Sequence, residues 1–228
     1  MLFSQIKSNK KNQHALIEGV INDSIPHAQL FFGPNNSEKL SITLAYIQYI
    51  FCEDKKENDS CGICPNCVKN QLLIHPDVHF IFPVVSEKNI QKPISADYLD
   101  LWKKQVLQSK HLDIGSWTEL ISKGKKNLVI YVQDIYEIEK KINLKSYQGD
   151  YKVFVIWNAN KLNMQASNKF LKSLEEPPNK TLFILISEKK EQLITTILSR
   201  LLTLNFQPKK DSEKLIVDEQ STLFSSSF

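Results

Sequence analysis

The chain is poor in arginine. Of its 29 basic residues, only Arg200 is an arginine, and the rest are lysines. Planar, bidentate contacts to phosphate, which lysine does not make, can therefore come from that one side chain alone. Acidic residues number 25, leaving a net charge of +4, too mild an excess to establish nucleic-acid binding. Long apolar runs are missing too. None approaches the roughly 18 to 20 residues of a membrane span, so no membrane partner is expected. The opening stretch MLFSQIKSNKKNQHALIEGV lacks the basic-then-apolar layout of a secretory signal, which makes the cytoplasm the expected location. No internal repeat is visible. What remains is 228 residues, 42% hydrophobic and 24% charged: enough for one large domain or two small ones with a real core.

The segment around which the chain is organised is Leu30 to Leu44, LFFGPNNSEKLSITL. An apolar run ends at Gly33, turns through Pro34-Asn35-Asn36, and leads into a helical stripe of Leu40, Leu44, Ile47 and Phe51. That is the strand–loop–helix setting of a phosphate-binding loop, G-x-x-x-x-G-K-[ST]. Gly33 and Lys39 stand at the right spacing, but Glu38 replaces the second glycine and Leu40 the hydroxyl residue. A glutamate obstructs close backbone approach to phosphates, and leucine cannot ligate Mg²⁺. The predicted loop is vestigial, and ATP binding is doubtful.

All four cysteines, Cys52, Cys61, Cys64 and Cys67, fall within sixteen residues as C-x8-C-x2-C-x2-C. Thiolates at two-residue spacing converge on a tetrahedral metal, with Gly62 and Pro65 in the tight bends. Four free thiols or two disulfides are the alternatives; disulfides do not suit a reducing compartment. A structural zinc knuckle inserted at 52–67 is the favoured reading. His75 and His79 are spare donors, read instead as a turn residue and a strand residue.

Residues 1–28 read as helical and partly exposed, with Ala15, Leu16, Val20 and Ile21 as the buried face. Strands are expected at Gln29–Phe32, Val78–Val84, Leu128–Val132, Tyr151–Trp157 and Thr181–Ile186. Helices are expected at Glu38–Phe51, Asp134–Leu144, Leu162–Glu176 (stopped by Pro177-Pro178) and Glu191–Leu198. Residues 86–127 read as a polar insertion with helices at Ala96–Gln108 and Trp117–Lys123, anchored by Trp102 and Trp117. Leu201–Phe206 is a last extended piece. The fold class is therefore α/β: a parallel five-stranded sheet flanked by helices, P-loop NTPase-like, with the zinc module inserted. After the strongest strand, where a hydrolase of this layout carries acidic residues, stand Asn158-Ala159-Asn160, which cannot serve as a general base.

Three stretches then carry a resemblance. His27-Ala28-Gln29-Leu30-Phe31-Phe32-Gly33-Pro34 with Lys39 is one. Cys61-Gly62-Ile63-Cys64-Pro65-Asn66-Cys67 followed by His75-Pro76-Asp77 is the second. Asn168-Lys169-Phe170-Leu171-Lys172-Ser173-Leu174-Glu175-Glu176-Pro177-Pro178 is the third. Over roughly residues 10 to 208 the chain resembles the delta-prime subunits of the bacterial clamp loader, part of DNA polymerase III and built on an AAA+ module. The resemblance implies a non-hydrolysing subunit of the polymerase holoenzyme. Its partners would be ATPase subunits and a delta subunit in a hetero-oligomeric ring that loads the sliding clamp on primed DNA. It implies that Ser199-Arg200-Leu201 takes the place of a Ser-Arg-Cys motif, with Arg200 as an arginine finger completing a neighbour's ATP site in trans. Helix N-termini such as Asn163–Ser167 would face DNA phosphates, with simple N-capping as the alternative. Residues 1–208 would form the AAA+ domain. Residues 209–228 would be a disordered tail or the start of a lid and collar, which the resemblance expects and the chain does not contain. A weakly active ATPase using Lys39, or a decayed remnant without a partner, are the competing readings.

Overall fold

The computed structural model describes residues 1–85, 93–109, 112–123 and 127–208; the expected tail at 209–228 and part of the expected insertion lie outside them. In chain order the elements are α1 (Lys10–Ile21), β1 (Ala28–Phe32), α2 (Lys39–Phe51), α3 (Pro65–Gln71), β2 (Val78–Ile81), α4 (Leu99–Gln108), α5 (Ile114–Ser122), α6 (Val132–Ile142), β3 (Lys152–Trp157), α7 (Met164–Glu175), β4 (Thr181–Ser187), α8 (Thr195–Leu198) and β5 (Leu202–Asn205). The strands form one parallel sheet in the order β2-β3-β4-β1-β5.

Parallel strands covered on both faces need apolar residues at successive positions. KVFVIW in β3 and TLFILIS in β4 are buried along their whole length. Alternate residues of these strands enter two different cores. Phe31, Val153, Val155, Leu182, Ile184 and Ile186 pack with α1, α2, Trp102 and Trp117 on one face. Leu30, Phe154, Ile156, Phe183 and Leu185 pack with Ile135, Ile138, Phe170 and Leu174 on the other. The result is three layers, helices–sheet–helices. Trp102 stacks on Phe82 at 5.0 Å and 4°, and the Trp117 indole N–H donates to the Pro83 carbonyl at 2.8 Å. Both indoles are core, not binding platforms.

Three expectations need correction. Leu128–Val132 is not a strand: it makes only isolated bridges, Val129 to Val84 and Ile130 to Leu162, and α6 already begins at Val132. Direct pairing of β2 with β3 leaves no room for it between those two strands, and beside the outer edge of β2 it makes only the single Val84–Val129 bridge. The fifth strand is instead Leu202–Asn205, an exposed edge strand on β1. The first helix buries Leu16 and packs Val20 against the core as expected, but Gln13 and Ile17 complete its inner face, while Ala15 and Ile21 face solvent. Helical structure there covers Lys10–Ile21, with a short 3-10 turn at Phe3–Gln5, not the whole of 1–28.

Candidate functional site

In open parallel sheets, ligands sit where loops leave the carboxyl ends of the strands. Here that edge carries the Gly33 loop after β1, Asn158 after β3 and Glu188 after β4. Gly33 has φ +150°, and a Cβ on it would lie 2.1 Å from the Phe206 carbonyl oxygen. Glycine is required because the exit of β5 crosses directly over it. Glu38 occupies the left-handed region at φ 57°, the conformation that a loop glycine adopts without penalty. Its carboxylate accepts from the Ser8 hydroxyl at 2.7 Å. Asn9 ties the same region together, donating to the carbonyls of Ser37 and Gln207 and accepting from the Gln207 N–H.

Lys39 is folded into its own loop. Its ammonium donates to the carbonyls of Gly33 and Pro34, each at 2.6 Å, and to the Ser37 hydroxyl at 3.0 Å. Three donors meet three acceptors. Burial pulls the Lys39 pKa down to about 8, opposed by the charge of Glu188. The space left between this loop, Leu40, Asp113, Trp157 and Asn158 is about 30 Å³, room for a water or two. Asn158, itself left-handed at φ 54° and buried, offers a neutral amide there.

The four cysteines converge. Cys52 ends α2, Cys61 and Gly62 form a turn with Gly62 at φ +76°, and Cys64 caps α3, which opens on Pro65. All four Sγ atoms lie within 4.8 Å of one another, and none is in a disulfide. Four thiolates around zinc at about 2.3 Å place sulfurs about 3.8 Å apart; Cys61 and Cys67 are 3.9 Å apart. Backbone N–H groups of Cys61, Cys64 and Cys67 point at the sulfurs of Cys52, Cys61 and Cys64 at 3.2, 3.4 and 3.4 Å, the outer-shell bonds that orient thiolate ligands. N–H groups of Ile63 and Cys64 hold the Cys61 pKa down to about 7, whereas burial pushes Cys52 and Cys67 up. The donor set fits a closed, four-coordinate site for a soft or borderline metal ion. His75 and His79 do not join it. His75 packs on Phe51, and His79 packs on Phe154 with its pKa lowered to about 4, chiefly by burial.

Arg200 lies elsewhere. It follows α8 at the amino end of β5, exposed, with Nη1 donating to the Thr196 carbonyl at 2.7 Å and Nη2 to Glu175 Oε1 at 2.6 Å. Leu201 beside it is buried in the core, so leucine packs where the resemblance places a cysteine. Register with β1 runs from Gln29–Leu202 to Phe32–Asn205. Arg200 precedes that register by two residues and Gly33 follows it by one, so they sit at opposite ends of the same strand pair, six residue steps of about 3.3 Å apart, about 20 Å. At the start of α7, Asn163 Oδ1 accepts from the Ala166 N–H at 2.7 Å, an N-cap.

Two further residues organise these regions and escape sequence reasoning. Glu175 stands in the LEEPP stretch, yet only the fold reveals it as the partner of Arg200. Asp77, buried, accepts from the N–H groups of Tyr147 and Gln148, each at 2.7 Å, tying the end of the cysteine module to the approach to β3. Its signal was a carboxylate next to a proline turn, and nothing local indicated its distant donors.

The family described as DNA polymerase III, delta subunit, matches residues 8–210 of the chain. DNA polymerase III subunit delta' of Bacillus subtilis is 28% identical over 209 residues, covering 90% of this chain and 50% of the relative. The Escherichia coli protein of that name is 27% identical over 160 residues, covering 70% and 36%. A solved DNA polymerase III gamma subunit-related protein from Thermotoga maritima superposes with a TM-score of 0.52 at 17% identity, covering 90% of this chain and 49% of that one; this likeness is one of fold. The chain spans half or less of the length of these relatives. No helix among the described residues is long and apolar enough to cross a membrane.

Proposed function

The chain belongs to the DNA polymerase III delta-subunit family, and from that premise we propose that it acts as a non-hydrolysing, delta-prime-like clamp-loader subunit. It takes its place beside ATPase subunits and a delta subunit in a hetero-oligomeric ring that loads a sliding clamp on primed DNA. Its own nucleotide loop is closed by Lys39, and its contribution to hydrolysis is Arg200, given in trans. Zinc, held by Cys52, Cys61, Cys64 and Cys67, is structural: four protein ligands leave no coordination position for a substrate.

The observation that carries this reading is the separation of Arg200 from the Gly33 loop. A guanidinium at the amino end of β5 cannot reach phosphates bound at the carboxyl end of β1, so the anion it serves belongs to another molecule. An arginine supplied to a neighbouring phosphate stabilises charge in the transition state and is worth about 10³ to 10⁵ in rate in the best-studied cases.

The test is reconstitution with ATPase subunits of the same clamp loader. The chain alone should neither bind ATP at micromolar concentrations nor release phosphate. In the complex, Arg200→Ala should leave assembly intact and reduce clamp- and DNA-stimulated hydrolysis at least tenfold. Unchanged hydrolysis in an assembled Arg200→Ala complex overturns the proposal.

A further inference from the structure

Arg200 is not loose on the surface. Nη1 is engaged by the Thr196 carbonyl at 2.7 Å and the Ser199 hydroxyl at 3.3 Å, and Nη2 by Glu175 Oε1 at 2.6 Å. A guanidinium has five N–H donors. Among the described residues three are engaged, which leaves Nε–H and one Nη2–H. Those are donors on adjacent nitrogens, the number that a bidentate contact to a phosphate uses.

The partner is unusually placed. Glu175 is the last residue of α7, where the helix carries its negative end and a carboxylate is disfavoured. Among the described residues its one ion pair is with Arg200. The pair is half-exposed, 35% for the arginine side chain and 47% for the glutamate. Such pairs are weak as stabilisers, so stability is a poor account of a carboxylate in this position. Orientation is a better one. Thr196 and Ser199 belong to α8 and its cap, the segment that carries Arg200 itself, and they hold Nη1. Glu175 is the contact from a separate element, and it holds Nη2.

We propose that Glu175 is a positioning residue for Arg200, holding the guanidinium with its two remaining donors presented outward to a neighbour's phosphate. The inference rests on Arg200 acting in trans, as proposed above. Glu175 touches no substrate; it acts by restricting the arginine before the neighbour docks, so that less side-chain freedom is lost when the phosphate contact forms.

The experiment uses the full chain in the reconstituted complex and compares wild type, Glu175→Ala, Glu175→Gln, Arg200→Ala and the double variant Glu175→Ala/Arg200→Ala. Glu175→Ala should lower stimulated kcat roughly fivefold, the scale of one half-exposed ion pair, with KM for ATP and complex assembly unchanged. Glu175→Gln, which keeps an acceptor oxygen, should recover most of that loss. In the Arg200→Ala background, Glu175→Ala should do nothing more. The inference is overturned if Glu175→Ala leaves kcat unchanged or raises it while Arg200→Ala lowers it. It is equally overturned if Glu175→Ala lowers kcat by the same factor whether or not Arg200 is present. Loss of assembly in Glu175→Ala and Glu175→Gln alike would make the residue structural and overturn it too. An Arg200→Ala complex with full activity removes the underlying reading, and this one with it.

Discussion

Replacing Lys39 by methionine removes the ammonium that is folded into the Gly33 loop while keeping the length of its aliphatic stem. In the native chain the ammonium satisfies the Gly33 and Pro34 carbonyls at 2.6 Å and the Ser37 hydroxyl at 3.0 Å. Leaving a buried acceptor without a donor costs about 1–3 kcal/mol. The Gly33 end is buried and the Pro34 end partly open, so the expected loss is about 2 kcal/mol at pH 7. A pH signature accompanies it. The Lys39 pKa is lowered from 10.5 to about 8 in the folded chain. Between those values the unfolded chain holds a proton that the folded chain has released, so stability rises with pH across the window, and the contribution disappears as pH falls through about 8. Methionine does not titrate. The wild-type advantage should therefore widen by about 2 kcal/mol between pH 8 and pH 10, within the limit of about 1.4 kcal/mol per pH unit. Urea unfolding of both proteins at pH 7, 8, 9 and 10, at constant ionic strength, reads this directly. A difference that stays constant across that range, or a variant more stable than wild type at pH 7, would refute the account of Lys39 as a buried plug.

Three other perturbations test separate parts of the fold. Gly33→Ala places a methyl 2.1 Å from the Phe206 carbonyl oxygen, so β5 must shift or detach; a loss of about 3 kcal/mol or more is expected, and an unchanged melting temperature would contradict the packing. Asp134 has its pKa raised to about 6, chiefly by burial, despite hydrogen bonds at 2.8 Å from the Ser95 N–H and hydroxyl. Its folded pKa exceeds the ordinary 3.8, so its contribution is present below pH 3.8 and lost as pH rises through about 6. The advantage of wild type over Asp134→Asn should therefore shrink by about 3 kcal/mol between pH 3.5 and 7.5, and a flat difference would count against a neutral buried carboxyl. The purified chain should carry a single zinc, released on Cys67→Ser with a large fall in thermal stability; wild-type protein that is metal-free and equally stable with or without chelator would rule out a structural ion.

Much of the fold was legible because its signals are local and redundant. Two continuous apolar runs, Tyr151–Trp157 and Thr181–Ile186, read as strands and form β3 and β4, and Pro177-Pro178 marks the end of α7. The Leu128–Val132 error has a physical cause: five apolar-rich residues satisfy strand propensity, but a strand needs a ladder of successive partners, and this segment finds only the isolated bridges to Val84 and Leu162 before α6 begins. The extended piece expected at Leu201–Phe206 is present as β5, but its place in the sheet was not legible, because an edge strand needs only one neighbour and little burial, and its exposed LTLN pattern is a weak signal. In α1, Gln13 is buried because its amide donates to the carbonyls of Ile6 and Ser8, a tertiary contact that no hydrophobic pattern encodes. The cysteine cluster was legible from spacing alone, because ligand geometry dictates the spacing. Lys39 was found by motif, but not its folding back onto Gly33 and Pro34, and Glu175 was hidden because its partner is 25 residues away.

The two ends of the β1–β5 pair have different physical histories written in their side chains. At the carboxyl end, a loop shaped to receive anions is now held by the chain's own groups: Ser8 on Glu38, Asn9 on Ser37 and Gln207, and Lys39 on Gly33 and Pro34. These contacts pair the loop's carbonyls and side chains with donors from the chain itself, and Glu38 is held at φ 57°, where a glycine would be at ease. At the amino end, among the described residues, Arg200 stays exposed and is held by Thr196, Ser199 and Glu175. The lysine at one end is thus buried against acceptors of its own loop, while the arginine at the other keeps part of its guanidinium in solvent, and it is this contrast that the proposed action of Arg200 on a neighbour draws on.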